Sequence, residues 1–315
     1  MELNRVVAFD TSIISENGGD NVIMDYCNNI MENIFTDSFI VHVPTHERIG
    51  KNGKKYCKEA KYKLLCGTNI LASKLPKFRI WEAGLRDIKY ISDVCLFGVG
   101  WMEYQDNPNI YSKYFWRKVL SKSLIHSVRD SYTEKKLNDL GFDNVVNTGC
   151  PTMWNLSLEH CKNIPQTKKE YVVTTLTDYR KNSINDKKML DILFENYRKV
   201  YIWIQALEDY YYLKEIYDIE KLNIVKPGLN NLDRILSKDD IEYCGTRLHA
   251  GIRALNYGKR TTIIAKDNRA IEIGKDTGLN VLNDIDEMEK LLNSNIVTEI
   301  ELPWENIKKW KNQFK

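Results

Sequence analysis

The chain has 315 residues, 43% of them hydrophobic and 28% charged, with a net charge of +3 at pH 7. That length suits two ordinary domains or one large one, and the composition excludes a disordered chain. So small a net charge gives no argument for a nucleic acid partner, although it is compatible with peripheral contact at an anionic membrane surface.

The seven cysteines are odd in number and widely spaced, with no C-x-x-C pair, so neither a disulfide framework nor a zinc site is indicated. Met1-Glu2-Leu3-Asn4-Arg5 runs at once into a strand and lacks the apolar core of a signal peptide. No stretch approaches the ~20 apolar residues that a membrane span requires. A reduced, soluble, cytoplasmic protein is the expectation.

In chain order, Arg5 to Phe9 reads as a buried strand, followed by a polar loop that closes on Asn17-Gly18-Gly19-Asp20 and a helix from Asn21 to Phe35. Strand, glycine loop and helix open a Rossmann-like unit, yet no G-x-G-x-x-G follows, so a dinucleotide is not indicated. Further strands are expected at Phe39–Val43, Lys63–Cys66 and Asp93–Phe97, the last two stopping at Gly67 and Gly98. Runs that end at glycine gather their loops on one rim of a parallel sheet. Tyr111–Lys122 reads as a helix, Leu124–Val128 as a strand, the stretch from Ser131 to Leu140 as a helix capped by Asp130 or Ser131, and Val145–Thr148 as a strand. Asn155 to Lys169 is polar, contains Pro165 and has no period, which places a linker there and divides the chain into domains 1–160 and 161–315.

The rhythm restarts with strands at Tyr171–Thr175 and Lys199–Ile204, a tyrosine-rich helix from Leu207, and helix Leu229–Leu236. The apolar run Ile241–Cys244 then ends at Gly245-Thr246-Arg247-Leu248-His249, and Thr261–Ala265 leads to Asp267-Asn268-Arg269. A last helix, Trp304–Phe314, carries an apolar face that packs on the body of the protein, with a crossing to the first domain left open. Alternating strands and helices point to an α/β protein, read as two Rossmann-like doubly wound domains facing across a cleft.

Arg247 and His249 stand where a strand's carboxyl end meets a helix N-terminus, the place where open α/β sheets bind ligands. The next strand brings Arg269 to the same rim. An imidazole among guanidiniums suits an anionic substrate that needs a proton. A capping arginine and a packed histidine explain the same residues without function. Arg129 also follows a strand, and a surface pair with Asp130 is its plainer explanation. Asn21 could touch a ligand through its amide, and Asp20 more simply caps the first helix. His42, His46, His126 and His160 share no metal-ligand spacing, His42 reads as structural, no G-x-S-x-G is present, and Tyr210-Tyr211-Tyr212 suits sugar stacking and core packing equally.

Three blocks resemble the polysaccharide pyruvyl transferase family: Asn17-Gly18-Gly19-Asp20-Asn21-Val22-Ile23-Met24; Ser127-Val128-Arg129-Asp130-Ser131-Tyr132-Thr133 with Leu140 to Val145 and Thr148 to Thr152; and Gly245 to His249 with Asp267-Asn268-Arg269. They span most of the chain in the expected order. The resemblance implies a GT-B-like architecture and transfer of pyruvate from phosphoenolpyruvate onto two hydroxyls of a sugar, in a cell-surface polysaccharide or its precursor, as a cyclic ketal. It implies His249 as the catalytic acid and Arg129 and Arg269 as donor-binding cations, with Arg247, Asn21, Gly67 and Gly98 as further substrate-binding positions. No metal or cofactor is implied beyond the phosphoenolpyruvate donor, and the partner is a glycan or lipid-linked saccharide. The chain departs from the pattern in having Arg269 where lysine is usual and Cys66-Gly67-Thr68 where a glycine pair is usual. A nucleotide-sugar glycosyltransferase and a non-catalytic glycan-binding protein are the rival readings.

Overall fold

The computed structural model describes residues 3–315, so Met1 and Glu2, part of the leader reading above, lie outside the described residues. The chain divides into two compact units. One takes the residues up to Ser15 together with Ile23–Pro151 and Leu302–Lys315; the other takes Glu16–Val22 and Thr152–Glu301. Among the described residues no helix is long and apolar enough to cross a membrane.

The first unit holds β1 (Asn4–Asp10), most of α1 (Gly18–Ile34), β2 (Ser38–Pro44), α2 (Lys51–Glu59), β3 (Tyr62–Cys66), α3 (Ile88–Ile91) and β4 (Val94–Phe97). It continues with α4 (Ile110–Val119), β5 (His126–Val128), α5 (Ser131–Asn138) and β6 (Val145–Asn147). Strands β2, β1, β3 and β4 pair in that order, all parallel, and β5 pairs with β6. The Gly98 amide donates to the Ser127 carbonyl at 3.0 Å and the Arg129 amide to the Val99 carbonyl at 3.1 Å, so the two ladders continue one another. Residues of β3 and β4 such as Leu64, Leu65, Val94 and Leu96 are wholly buried, as strands covered on both faces must be.

The second unit holds α6 (Leu158–Lys162), β7 (Tyr171–Thr174), α7 (Ser183–Asn196), β8 (Lys199–Trp203), α8 (Leu207–Ile216), β9 (Asn223–Val225), α9 (Leu229–Leu236) and β10 (Ile241–Gly245). Then come α10 (Leu248–Asn256), β11 (Thr261–Ile264), α11 (Asn268–Thr277), β12 (Val281–Leu282) and α12 (Met288–Leu292). Its six strands run β12-β11-β10-β7-β8-β9, again all parallel. This is a doubly wound order whose direction reverses between β7 and β10, the switch point at which such sheets leave a crevice beyond the strand ends. At the opposite edge of the same strands, Arg260 Nη1 donates to buried Glu242 at 2.5 Å, and the Tyr197 hydroxyl donates to the same carboxylate. That end of the sheet is a closed structural knot.

The units divide at 151/152 and 301/302 rather than at the expected 160/161. The stretch expected as linker contains α6, capped by Ser157, and His160 Nε2 donates to the Leu255 carbonyl at 2.7 Å, which binds it into the second unit. The final helix, α13 (Trp304–Asn312), belongs to the first unit instead of the second. Trp310 stacks on Phe97 with centroids 4.4 Å apart and donates its indole N–H to the Leu96 carbonyl at 3.2 Å.

Candidate active site

In the second unit the carboxyl ends of β7 and β10 are laced together. The Thr175 and Tyr243 hydroxyls lie 2.6 Å apart, the Arg247 amide donates to Thr175 Oγ1 at 3.1 Å, and the Tyr243 hydroxyl donates to the Arg247 carbonyl at 2.9 Å. Only glycine fits at 245, because a Cβ there would stand 2.7 Å from the Thr175 amide. One turn on, a Cβ on Gly251 would stand 2.6 Å from Ile263, so α10 lies tight on β11. Arg247 is the residue before α10, and His249, 5% exposed, stands in its first turn. The imidazole thus sits at the switch point, beside the positive end of a helix dipole.

Arg247 is held from below. Its Nε donates to the Leu176 carbonyl at 3.0 Å, and Nη2 donates to Asp178 at 3.1 Å and to Asp209. Burial pushes the Asp209 carboxyl up to about 6, against the pull of Arg247. Two carboxylates therefore already offset the charge that was expected to meet a substrate, and only Nη1 has no hydrogen bond among the described residues. The geometry makes Arg247 a post that fixes the loop before α10 more than a free cation.

Arg269 lies in the first turn of α11, at the end of the strand next to β10, on the same rim as His249. Sequence periodicity had shown no helix here; Asp267 creates its start by accepting from the Arg269 amide at 3.0 Å. The Asp267 carboxylate also accepts from Arg269 Nε at 2.9 Å, and Arg269 Nη2 reaches the Tyr179 hydroxyl. Tyr179 carries both guanidiniums on its ring, Arg247 at 4.9 Å and Arg269 at 5.7 Å from the centroid. Tyr179 and the two aspartates that hold Arg247 were not singled out from sequence. Thr177-Asp178-Tyr179 follows β7 after Thr175 and Leu176, so the signal for Asp178 and Tyr179 was position alone, and that becomes informative only once β7 is known to border β10.

Asn21 is exposed in the first turn of α1. The helix is capped by Asn17 rather than by Asp20: Asn17 Oδ1 accepts from the Gly19 amide at 3.0 Å and from Gln205 Nε2 at 2.8 Å. Asp20 is instead buried, and its charge acts on Arg269.

In the first unit Arg129 follows β5 and is 1% exposed, not a surface residue. Asp130 accepts from it with one oxygen at 3.3 Å and caps α5 with the other, through the Thr133 amide at 2.7 Å. Arg129 Nη2 also donates to Asn69 at 2.7 Å, whereas Nη1 is buried with no hydrogen-bond partner among the described residues. The guanidinium lies against Gly100, where a Cβ would come within 2.1 Å of Nη2. A buried N–H donor without a partner is rare and marks either strain or a place for a ligand.

Gly67 and Gly98 have positive φ, and the space of a side chain is filled at 67 by Ile23 and at 98 by Pro151, each 2.1 Å from a would-be Cβ. Turn geometry and packing account for glycine at both positions. Tyr212 is buried and donates to Asp186 at 2.6 Å, so that tyrosine packs in the core. Buried His126 accepts from the Leu96 amide, and burial pushes its imidazole down to about 4. His42, expected to be structural, pairs with Asp10 at 2.7 Å, and Asp10 also accepts from the Ser12 hydroxyl at 2.6 Å.

Comparison with known proteins adds three findings. No curated protein matches the chain. Among solved structures, the S. aureus MnaA–UDP co-structure aligns with 92% of this chain and 87% of its own, at TM-score 0.52 and 11% identity. That likeness is one of fold and bears out the mixed α/β class with parallel sheets. The family description "Polysaccharide pyruvyl transferase" matches residues 17–268, which include every candidate residue above except Arg269. The chain belongs to the polysaccharide pyruvyl transferase family.

Proposed function

We propose that this pyruvyltransferase takes its pyruvyl group from phosphoenolpyruvate and sets it on two hydroxyls of one sugar as a cyclic ketal. His249 gives a proton to the methylene carbon of the donor while a sugar hydroxyl attacks the adjacent carbon. The bond from that carbon to the phosphate oxygen then breaks, phosphate leaves with one hydroxyl proton, and the second hydroxyl closes the ring. Its proton restores His249. Arg129 and Arg269 bind the donor's phosphate and carboxylate by charge-assisted hydrogen bonds, using the terminal nitrogens their carboxylate partners leave open. Arg247 positions the loop that presents the imidazole.

The observation that carries this reading is His249 in the first turn of α10 at the β7/β10 reversal, with Arg269 at the end of the neighbouring strand. UDP in the MnaA co-structure belongs to that protein, and at 11% identity it lends this chain no nucleotide sugar. Phosphate release from phosphoenolpyruvate, measured with a panel of cell-envelope glycans, should fall by about 10²–10⁴-fold in His249→Ala. Undiminished release would remove His249 as the acid.

A further inference from the structure

The first unit contains a second cationic site, outside everything described above. The loops that follow β2 and β3 enclose an open cavity of about 520 Å³ lined by Arg48, Lys54, Arg79 and Arg86. Glu82, Asp87 and Tyr111 are also in its wall. We propose that this cavity binds a phosphate or diphosphate group carried by the saccharide acceptor. As an acceptor subsite the assignment rests on the pyruvyl-transfer reading; as a phosphate site it does not.

Four cations face two carboxylates here, and the pairing is loose. Lys54 and Asp87 are 3.8 Å apart, and Arg79 and Glu82 3.9 Å, both beyond a normal hydrogen bond. Arg48 and Arg86 are exposed and form no ion pair among the described residues. The contrast with Arg247, clasped by two aspartates, is one of availability: these guanidiniums keep their donor forks open, the geometry that matches phosphate oxygens.

The wall is built rather than incidental. The Glu82 amide donates to the Thr45 carbonyl at 2.7 Å and ties the two loops together. Asp87 accepts from the Gly84 amide at 3.0 Å. Beneath them, Trp81 is buried, with its ring 4.8 Å from Phe9. The cavity also lies beyond the carboxyl ends of parallel strands, the rim on which α/β sheets take their ligands. Tyr111 adds an aromatic face beside the cations, suited to a sugar ring next to its phosphate.

The test titrates the full chain with inorganic pyrophosphate by calorimetry, with phosphoenolpyruvate at saturation to occupy any donor site. The variant is Arg48→Ala/Arg86→Ala, whose two side chains are exposed, so the fold read by circular dichroism should match the wild type. Pyrophosphate affinity should fall at least about tenfold, with phosphoenolpyruvate affinity within about twofold of the wild type, since the two sites share no residue. Equal pyrophosphate affinity in the two proteins overturns the proposal. So does a parallel loss of phosphoenolpyruvate affinity, which would make these arginines part of donor binding. If the pyrophosphate loss appears while the wild type transfers no pyruvyl group, the phosphate site stands and the reading of the reaction falls.

Discussion

Arg129 in the first unit and Arg247 and Arg269 in the second answer the same chemical need in opposite ways. Arg129 is wholly buried, shares one carboxylate with a helix cap, and keeps a buried N–H donor unfilled. Arg247 and Arg269 lie on a half-exposed tyrosine ring and are held by aspartates of their own. A buried donor without a partner costs free energy until something fills it, and the proposed phosphoenolpyruvate donor would fill it at Arg129. The second rim has little such deficit: Arg247 fixes the loop before α10, and Arg269 is oriented by Asp267 and Tyr179.

Removing Arg129 should therefore have the largest effect. Arg129→Ala leaves buried Asp130 and half-buried Asn69 without their guanidinium, and breaking the buried Arg129–Asp130 pair costs about 3–5 kcal/mol. Urea melts should show that loss. In the folded fraction kcat/KM for phosphoenolpyruvate should drop by about 10²-fold or more, the scale of losing a preorganised donor. A destabilised variant with wild-type kcat/KM would reduce Arg129 to a structural part and erase the contrast with the second unit.

Arg269→Lys is a milder probe. The family resemblance places lysine here, and the charge can still reach Asp267, although a single ammonium cannot also keep the fork that spans Asp267 and Tyr179. A fall of less than about tenfold in kcat/KM is expected, the scale of one charge-assisted hydrogen bond. A loss as deep as that of Arg129→Ala would show that guanidinium geometry matters equally in both units.

The sequence made the strands plain, because runs such as Ile241–Cys244 are buried on both faces and stop at glycine. Strand order was hidden, since it depends on pairings such as β7 with β10 that no local pattern records. Helix α2 escaped notice for a physical reason: in Lys-Asn-Gly-Lys-Lys-Tyr-Cys-Lys-Glu only Cys57 is buried, so there is no apolar stripe to read. His249, Arg129 and Arg269 were legible as residues at strand ends. Their partners were not, because Asp209 and Asp178 come to Arg247 from 38 and 69 residues away, and charge pairing has no period.

A pH titration tests whether burial or pairing governs the base of the second rim. Asp209 is 2% exposed, and burial raises its carboxyl to about 6 despite Arg247. An unfolded aspartate titrates near ~3.9. A carboxyl whose folded value is raised binds protons more tightly in the native state, so its contribution is complete below about pH 4 and is lost as pH rises through about 6. Asp209→Asn removes that titration while Arg247 keeps Asp178. In thermal melts from pH 4 to 7 the wild type should therefore lose ground steadily against the variant, by up to about 3 kcal/mol in all. The fixed offset between the two proteins is immaterial, because deleting the pair shifts every point alike; the slope carries the result. A wild type that gains on the variant as pH rises would mean that the guanidinium outweighs burial and that the carboxylate under Arg247 is charged throughout. Arg247 would then stand as a neutralised post at every working pH, and the positive charge offered to a donor on that rim would come from Arg269 and the amino end of α10.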